Sequence, residues 1–233
     1  MLSTDIEYDF AMLSVPLEKC LASDRRSVEY AVFGESKAVK AGDPVILVGS
    51  PDGYMGTYRF AMVTNTGNFA YVTDSRFEIY NTDLPENALG SGVFVNTGGE
   101  VVGILTHGFK ESRNENITTM IAVDGVRNAI LSLANGTARN YLGVVTTETP
   151  AGVLKKLDIK YGLYVTEVKA GSPAEAAGIK KGDILVKIGD KELKTADVIY
   201  DIISETEAGE TLTITLIRNT KPEEVEVVIG GRE

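Results

Sequence analysis

Gly171-Ser172-Pro173-Ala174-Glu175-Ala176-Ala177-Gly178-Ile179-Lys180-Lys181-Gly182-Asp183-Ile184-Leu185 reads as a short helix set between two strands. Pro173 has the fixed φ that suits the first helical position, and Gly178 suits the position just past the end. Gly182-Asp183 then turns the chain into the apolar run that starts at Ile184. Tyr164-Val165-Thr166-Glu167-Val168 precedes this stretch as a strand. Working outward, strands are expected near Tyr141 to Thr146, Leu163 to Val168, Ile184 to Ile188, Thr211 to Arg218 and Glu224 to Ile229. Two helical pieces interrupt them, Pro173 to Ala177 and Ala196 to Ser204, the second capped by Thr195. Strands with two segregated helices predict a small α+β domain.

Upstream, the pattern changes to short apolar runs separated by turn residues, as in an all-β barrel or sandwich. Candidate strands are Tyr8 to Val15, Pro44 to Val48, Tyr58 to Thr64, Gly92 to Asn96 and Glu100 to Thr106. Gly98-Gly99 between the last two marks a hairpin, because glycine accepts positive φ without steric cost. Val126, Ala129, Ile130 and Leu133 then recur at helical spacing, with Asp124 placed to cap the start and Gly136 to end the helix. Polar residues from Asn135 to Asn140 form the boundary, dividing the chain into a domain over 1–137 and a second over 138–233.

Composition narrows the partners. With 23 basic and 33 acidic residues, the net charge is -10, which disfavours nucleic acid and anionic membrane surfaces. The single cysteine, Cys20, has no internal partner for a disulfide. No apolar run approaches the roughly 18 residues of a membrane-spanning helix, and Met1-Leu2-Ser3-Thr4-Asp5 lacks the features of a signal peptide. One histidine and one cysteine without ligand spacing predict no metal and no cofactor.

The Gly171-to-Leu185 stretch resembles the signature of bacterial PDZ domains, and the resemblance extends from Tyr141 to Ile229. It implies an exposed strand edge that accepts a peptide by β-augmentation, with backbone N-H groups in a tight loop capturing the terminal carboxylate. Tyr141, Leu142, Gly143 and Val144 match that loop. The groove would lie between the strand from Val144 and the helix carrying Ile199, Ile202 and Ile203, unless those isoleucines are core. The ligands so implied are C-terminal or unfolded segments of proteins.

The first domain resembles the trypsin-like barrel of the HtrA/Deg serine proteases, which precedes a PDZ domain in the same order. Tyr8-Asp9-Phe10-Ala11-Met12-Leu13, Ala41 to Pro51, Thr82 to Gly92 and Val95-Asn96 carry the likeness. The resemblance implies a mainly β chain, a partial chymotrypsin-like barrel followed by the PDZ domain. It assigns Ser91 as nucleophile, Asp9 as the residue orienting the general base, and the N-H groups of Leu89 and Ser91 as the oxyanion hole. It also implies protein quality control by proteolysis outside the cytoplasm.

The chain departs from that pattern in ways that matter chemically. A serine hydroxyl needs a general base within hydrogen-bond reach. The family's histidine lies upstream of its aspartate and serine, whereas the sole histidine here, His107, lies downstream of both. The expectation is therefore an N-terminally truncated protease whose 233 residues alone do not cleave peptides. The alternative is a non-catalytic remnant that binds peptides. The family's first glycine of the nucleophile loop is Leu89 here, and an oxyanion donor lost there costs about 2.7 to 4 kcal/mol of transition-state stabilisation. His107 is either a substitute base or a cleft-wall residue; Asp9 could be a strand-end polar residue, and Ser91 a turn serine.

Overall fold

Val45 and Leu47 are buried, Ile46 between them is half-buried, and Pro44 and Val48 on either side are exposed, the period-two pattern of a strand packed on one face. They belong to β3 of the computed structural model, which describes residues 3–5, 10–20, 28–87, 89–109, 116–135 and 139–232. The chain divides into two units, Met1–Ala70 with Phe77–Gly136, and Tyr71–Arg76 with Thr137–Glu233.

In the first unit, β1 (Ser3–Asp5) and β2 (Phe10–Met12) pair antiparallel. The strands β3 (Pro44–Ser50), β4 (Thr57–Val72), β5 (Ser75–Pro85), β6 (Ser91–Val95), β7 (Val101–Thr106) and β8 (Ile117–Ala122) follow. They close into one barrel in the order β3-β4-β5-β8-β7-β6, which leaves no free edge. Leu47, Val63, Tyr80, Phe94, Val102 and Met120 fill its core. The β6-β7 hairpin turns as expected, with Gly99 at φ +82 and Asn96 Oδ1 accepting the N-H groups of Gly98 and Glu100.

Helix α1 (Val123–Asn135) follows β8 directly. Asp124 lies inside its first turn rather than at its cap. Ser36 Oγ accepts the Asp124 N-H at 3.1 Å and donates to Asp124 Oδ2 at 2.9 Å, so a serine 88 residues away supplies the cap. Gly136 falls outside the described residues. Strands β5 and β8 lie outside the runs expected as strands.

The second unit contains β9 (Arg139–Tyr141), β10 (Val144–Glu148), α2 (Ala151–Leu157), β11 (Leu163–Val168), α3 (Pro173–Ala176), β12 (Ile184–Ile188) and β13 (Lys191–Glu192). It continues with α4 (Asp197–Glu205), β14 (Thr211–Arg218), β15 (Lys221–Val228) and β16 (Gly230–Arg232). The main sheet runs β10-β11-β12-β14-β15, with β13 on β12; β9 pairs with β16 separately. Two expectations need correction. Among the described residues there are three helices here, not two: α2 starts after Pro150 and ends at Asp158 in the left-handed region, and it buries none of its residues fully. Helix α4 begins at Asp197 behind Ala196, with no side-chain cap, so Thr195 does not cap it.

The quoted stretch folds as read. Ser172 Oγ accepts the Glu175 N-H at 3.1 Å, and the Glu175 carboxylate accepts the Gly171 N-H at 2.7 Å, a reciprocal arrangement close to a capping box. Asp183 is buried and takes a forked pair from Arg218, at 2.8 Å from Nε and 2.6 Å from the terminal nitrogen. Asp183 thereby raises the Arg218 pKa above its ordinary value.

Candidate functional site

The loop that leads into Ser91 is placed by β3 and β6. These strands pair antiparallel with Gly49 opposite Gly92 and Ser50 opposite Ser91. A Cβ on Gly92 would lie 2.3 Å from the Val48 carbonyl oxygen, and its φ is +153; only glycine lets the two backbones close this tightly. Ser91 is consequently exposed at the barrel rim, its Oγ 3.0 Å from Ser50 Oγ.

The loop before it is held from both sides. Asn87 donates to the Pro51 carbonyl at 3.1 Å, and its backbone carbonyl accepts the Gly90 N-H at 2.8 Å. Leu89 is 78% exposed, and its N-H donates to Asn87 Oδ1 at 3.1 Å. The N-H expected to face an oxyanion is thus occupied within the loop. Asp9 lies outside the described residues. A cavity of about 300 Å³ opens beside the loop, lined among others by Leu47, Pro51, Leu84, Asn87 and Leu105, with the Arg59-Asp52 ion pair at 2.8 Å on its wall.

His107 follows β7 and fastens this loop. Nδ1 lies 2.7 Å from Glu86 Oε1, and Nε2 lies 2.7 Å from the Gly90 carbonyl oxygen. A carbonyl can only accept, so Nε2 donates to Gly90, while Nδ1 faces the Glu86 carboxyl. Neither nitrogen presents a lone pair to Ser91. Among the described residues, the hydroxyl meets another serine and no imidazole.

The second site is a cradle of three backbone N-H groups after β9. Gly143 has φ +93, and a Cβ there would lie 2.2 Å from Ser172 Cβ, so glycine is required where the loop folds over α3. The Leu142, Gly143 and Val144 N-H groups converge on one carboxylate, that of Asp74. Leu142 donates to Oδ2 at 2.8 Å, Gly143 to both oxygens at 2.9 and 3.0 Å, and Val144 to Oδ1 at 2.9 Å. Asp74 is only 4% exposed and has φ +61. Its own N-H donates to the Val144 carbonyl at 2.7 Å, and Thr73 bridges antiparallel to Val145.

The rest of the segment Tyr71–Arg76 is pinned alongside. The Tyr71 hydroxyl donates to Glu148 Oε2, and Arg76 reaches Glu148 Oε1 and Asp197 Oδ1, the latter at 3.0 Å. Burial, and then the Glu148 carboxylate, push the Tyr71 phenol up to about 12. Ile199, Ile202 and Ile203, expected either in a groove or in the core, lie in the buried core with Leu142 and Val144. Sequence reasoning missed Asp74: its only local signal is an aspartate between Thr73 and Ser75 at a strand break. Among the described residues, no group of three or more His, Cys, Asp or Glu side chains could hold a metal ion.

Residues 1–104 match the family profile described as Trypsin-like peptidase domain, and residues 140–229 match the profile described as PDZ domain. The chain is 30% identical over 237 residues to a probable periplasmic serine endoprotease DegP-like of Rhizobium meliloti (strain 1021), covering 99% of this chain and 45% of that protein. It is 28% identical over 235 residues to the periplasmic pH-dependent serine endoprotease DegQ of Escherichia coli (strain K12), covering 98% and 50%. This chain therefore spans about half the length of these relatives. A solved structure of the HtrA-type protease AlgW with tripeptide has the same fold, with a TM-score of 0.62 at 21% identity, over 87% of this chain and 69% of that one.

Proposed function

The chain belongs to the HtrA-like proteases, a trypsin-like peptidase domain followed by a PDZ domain, and from that we infer that its 233 residues bind peptide C-termini without cleaving them. Ser91 occupies the nucleophile position of a serine endopeptidase, and Asp9 matches the position that orients the base. Hydrolysis at Ser91 would need an imidazole that these residues do not supply there. The observation that carries this reading is the engagement of both His107 ring nitrogens by Glu86 and Gly90. Loss of the triad histidine alone costs about 10^6 in kcat in a serine protease, and the occupied Leu89 N-H removes an oxyanion donor as well.

Peptide binding is supported by the cradle at Leu142 to Val144 and the adjacent β10 edge, which together suit a carboxylate and an added strand. C-terminal or unfolded segments of proteins are the substrate class. Relatives described as periplasmic support an extracytoplasmic setting, and among the described residues no helix is long and apolar enough to cross a membrane.

A serine-reactive fluorophosphonate probe tests the catalytic half of this reading. The chain and its Ser91→Ala variant should label equally poorly. Labelling of the unaltered chain that Ser91→Ala abolishes would contradict it, and would favour a reactive serine served by a base after all.

A further inference from the structure

We propose that the segment Tyr71–Arg76 is a built-in occupant of the peptide groove, in which the Asp74 side-chain carboxylate stands where a peptide's terminal carboxylate would bind, so that a peptide must displace it to enter. The proposal rests on the peptide-binding reading of the second unit and deepens it by naming the competitor.

Three properties of the segment match those of a ligand. First, the chemistry is the same: three N-H groups of one loop spend their hydrogen bonds on a single carboxylate, at 2.8 to 3.0 Å. A cradle of converging N-H groups binds an anion whatever covalent chain carries it. Second, the direction is that of strand addition. Thr73 bridges antiparallel to Val145 on β10, the edge strand of the main sheet, and the Asp74 N-H donates to the Val144 carbonyl. Third, Asp74 holds a left-handed backbone at φ +61, a conformation that is uncommon outside glycine, asparagine and aspartate. That turn aims the carboxylate into the cradle.

The contact is strengthened away from the cradle. Arg76, whose side chain is 17% exposed, lies between the Glu148 and Asp197 carboxylates, and the Tyr71 hydroxyl shares Glu148. Glu148 closes the far end of β10 and Asp197 opens α4, so the segment is clamped on both walls of the groove. A ligand meets only the fraction of molecules whose groove is open, and its apparent Kd rises by the reciprocal of that fraction. A groove open in about one molecule in ten weakens binding about tenfold.

The test uses the full chain and a fluorescein-labelled peptide copying Asn68-Phe69-Ala70-Tyr71-Val72-Thr73 with a free α-carboxylate, read by anisotropy. Asp74→Asn keeps the size of the side chain but turns an amide group toward N-H donors, and should bind at least about tenfold more tightly than the unaltered chain. Arg76→Ala leaves the cradle intact, loosens the clamp, and should bind about threefold more tightly. The same peptide with a C-terminal amide should lose most of its binding to every chain. Amide hydrogen exchange without peptide should accelerate at Leu142, Gly143 and Val144 in Asp74→Asn. Equal affinities in all three chains, within twofold, would overturn the proposal. Failure of every chain to bind the peptide, with exchange still accelerated, would overturn the peptide-receptor reading and with it the competition. Unchanged exchange at the three amides would overturn Asp74 as the occupant.

Discussion

His107 bears on chemistry by being committed elsewhere. Its Nε2 donates to the Gly90 carbonyl, which belongs to a buried residue, and its Nδ1 meets Glu86. Removing the ring takes a donor from that carbonyl, a change worth about 1 to 2 kcal/mol when water does not replace it. His107→Ala should therefore lower stability to urea by about that amount, whereas the exposed Ser91→Ala should stay within about 0.5 kcal/mol of the unaltered chain. Denaturation midpoints measured at constant slope provide the check. A His107→Ala chain as stable as the parent would mean that the ring does not fasten the loop before Ser91. Gln at 107 can donate only through its amide and should recover part of the loss.

At the scale of elements, the second unit makes its clearest prediction through Tyr71 at the end of β4. The phenol is pushed up to about 12 by burial first and by Glu148 second, against about 10 for a free tyrosine. The neutral phenol is thus the form the fold prefers. Its contribution to stability is fully present below about pH 10 and is lost as pH rises through about 12. Spectrophotometric titration should show Tyr71 among the late-ionising phenols, together with Tyr80, which burial and Glu78 also raise. Tyr71→Phe should remove one phenol from the late phase; a variant with an unchanged late phase would show that Tyr71 titrates as an exposed residue.

The same segment owes its shape to contacts distant in sequence. The β6-β7 turn was legible because Gly98-Gly99 carries its own conformational signal, and α3 was legible because Ser172, Pro173 and Gly178 mark its ends. The β4-β5 turn has no glycine: Asp74 is left-handed because a cradle about 70 residues away holds it. The Ser36 cap of α1 depends on a contact 88 residues away in sequence, and α2 is only seven residues long and buries none of them fully. Ser91 was singled out from spacing, but its neighbour Ser50 becomes evident only once β3 and β6 are in register.

At the scale of the molecule, the excess of 33 acidic over 23 basic residues bears on how a peptide arrives more than on how tightly it stays. Long-range charge changes association rates, and screening removes the effect once the Debye length falls below the approach distance. Local contacts in the groove act mainly on dissociation. Two peptides with the same six C-terminal residues, preceded either by three lysines or by three glycines, separate these contributions. In stopped-flow experiments with Asp74→Asn, the lysine peptide should associate faster at low salt, and its rate should fall at least about threefold between roughly 20 and 200 mM salt. The glycine peptide should change by less than about twofold. Dissociation rates should move little for either, because the tripeptide extension lies beyond the cradle. Equal salt dependence of the two association rates would show that the acidic excess does not reach the groove, leaving peptide capture to the N-H cradle and the β10 edge alone.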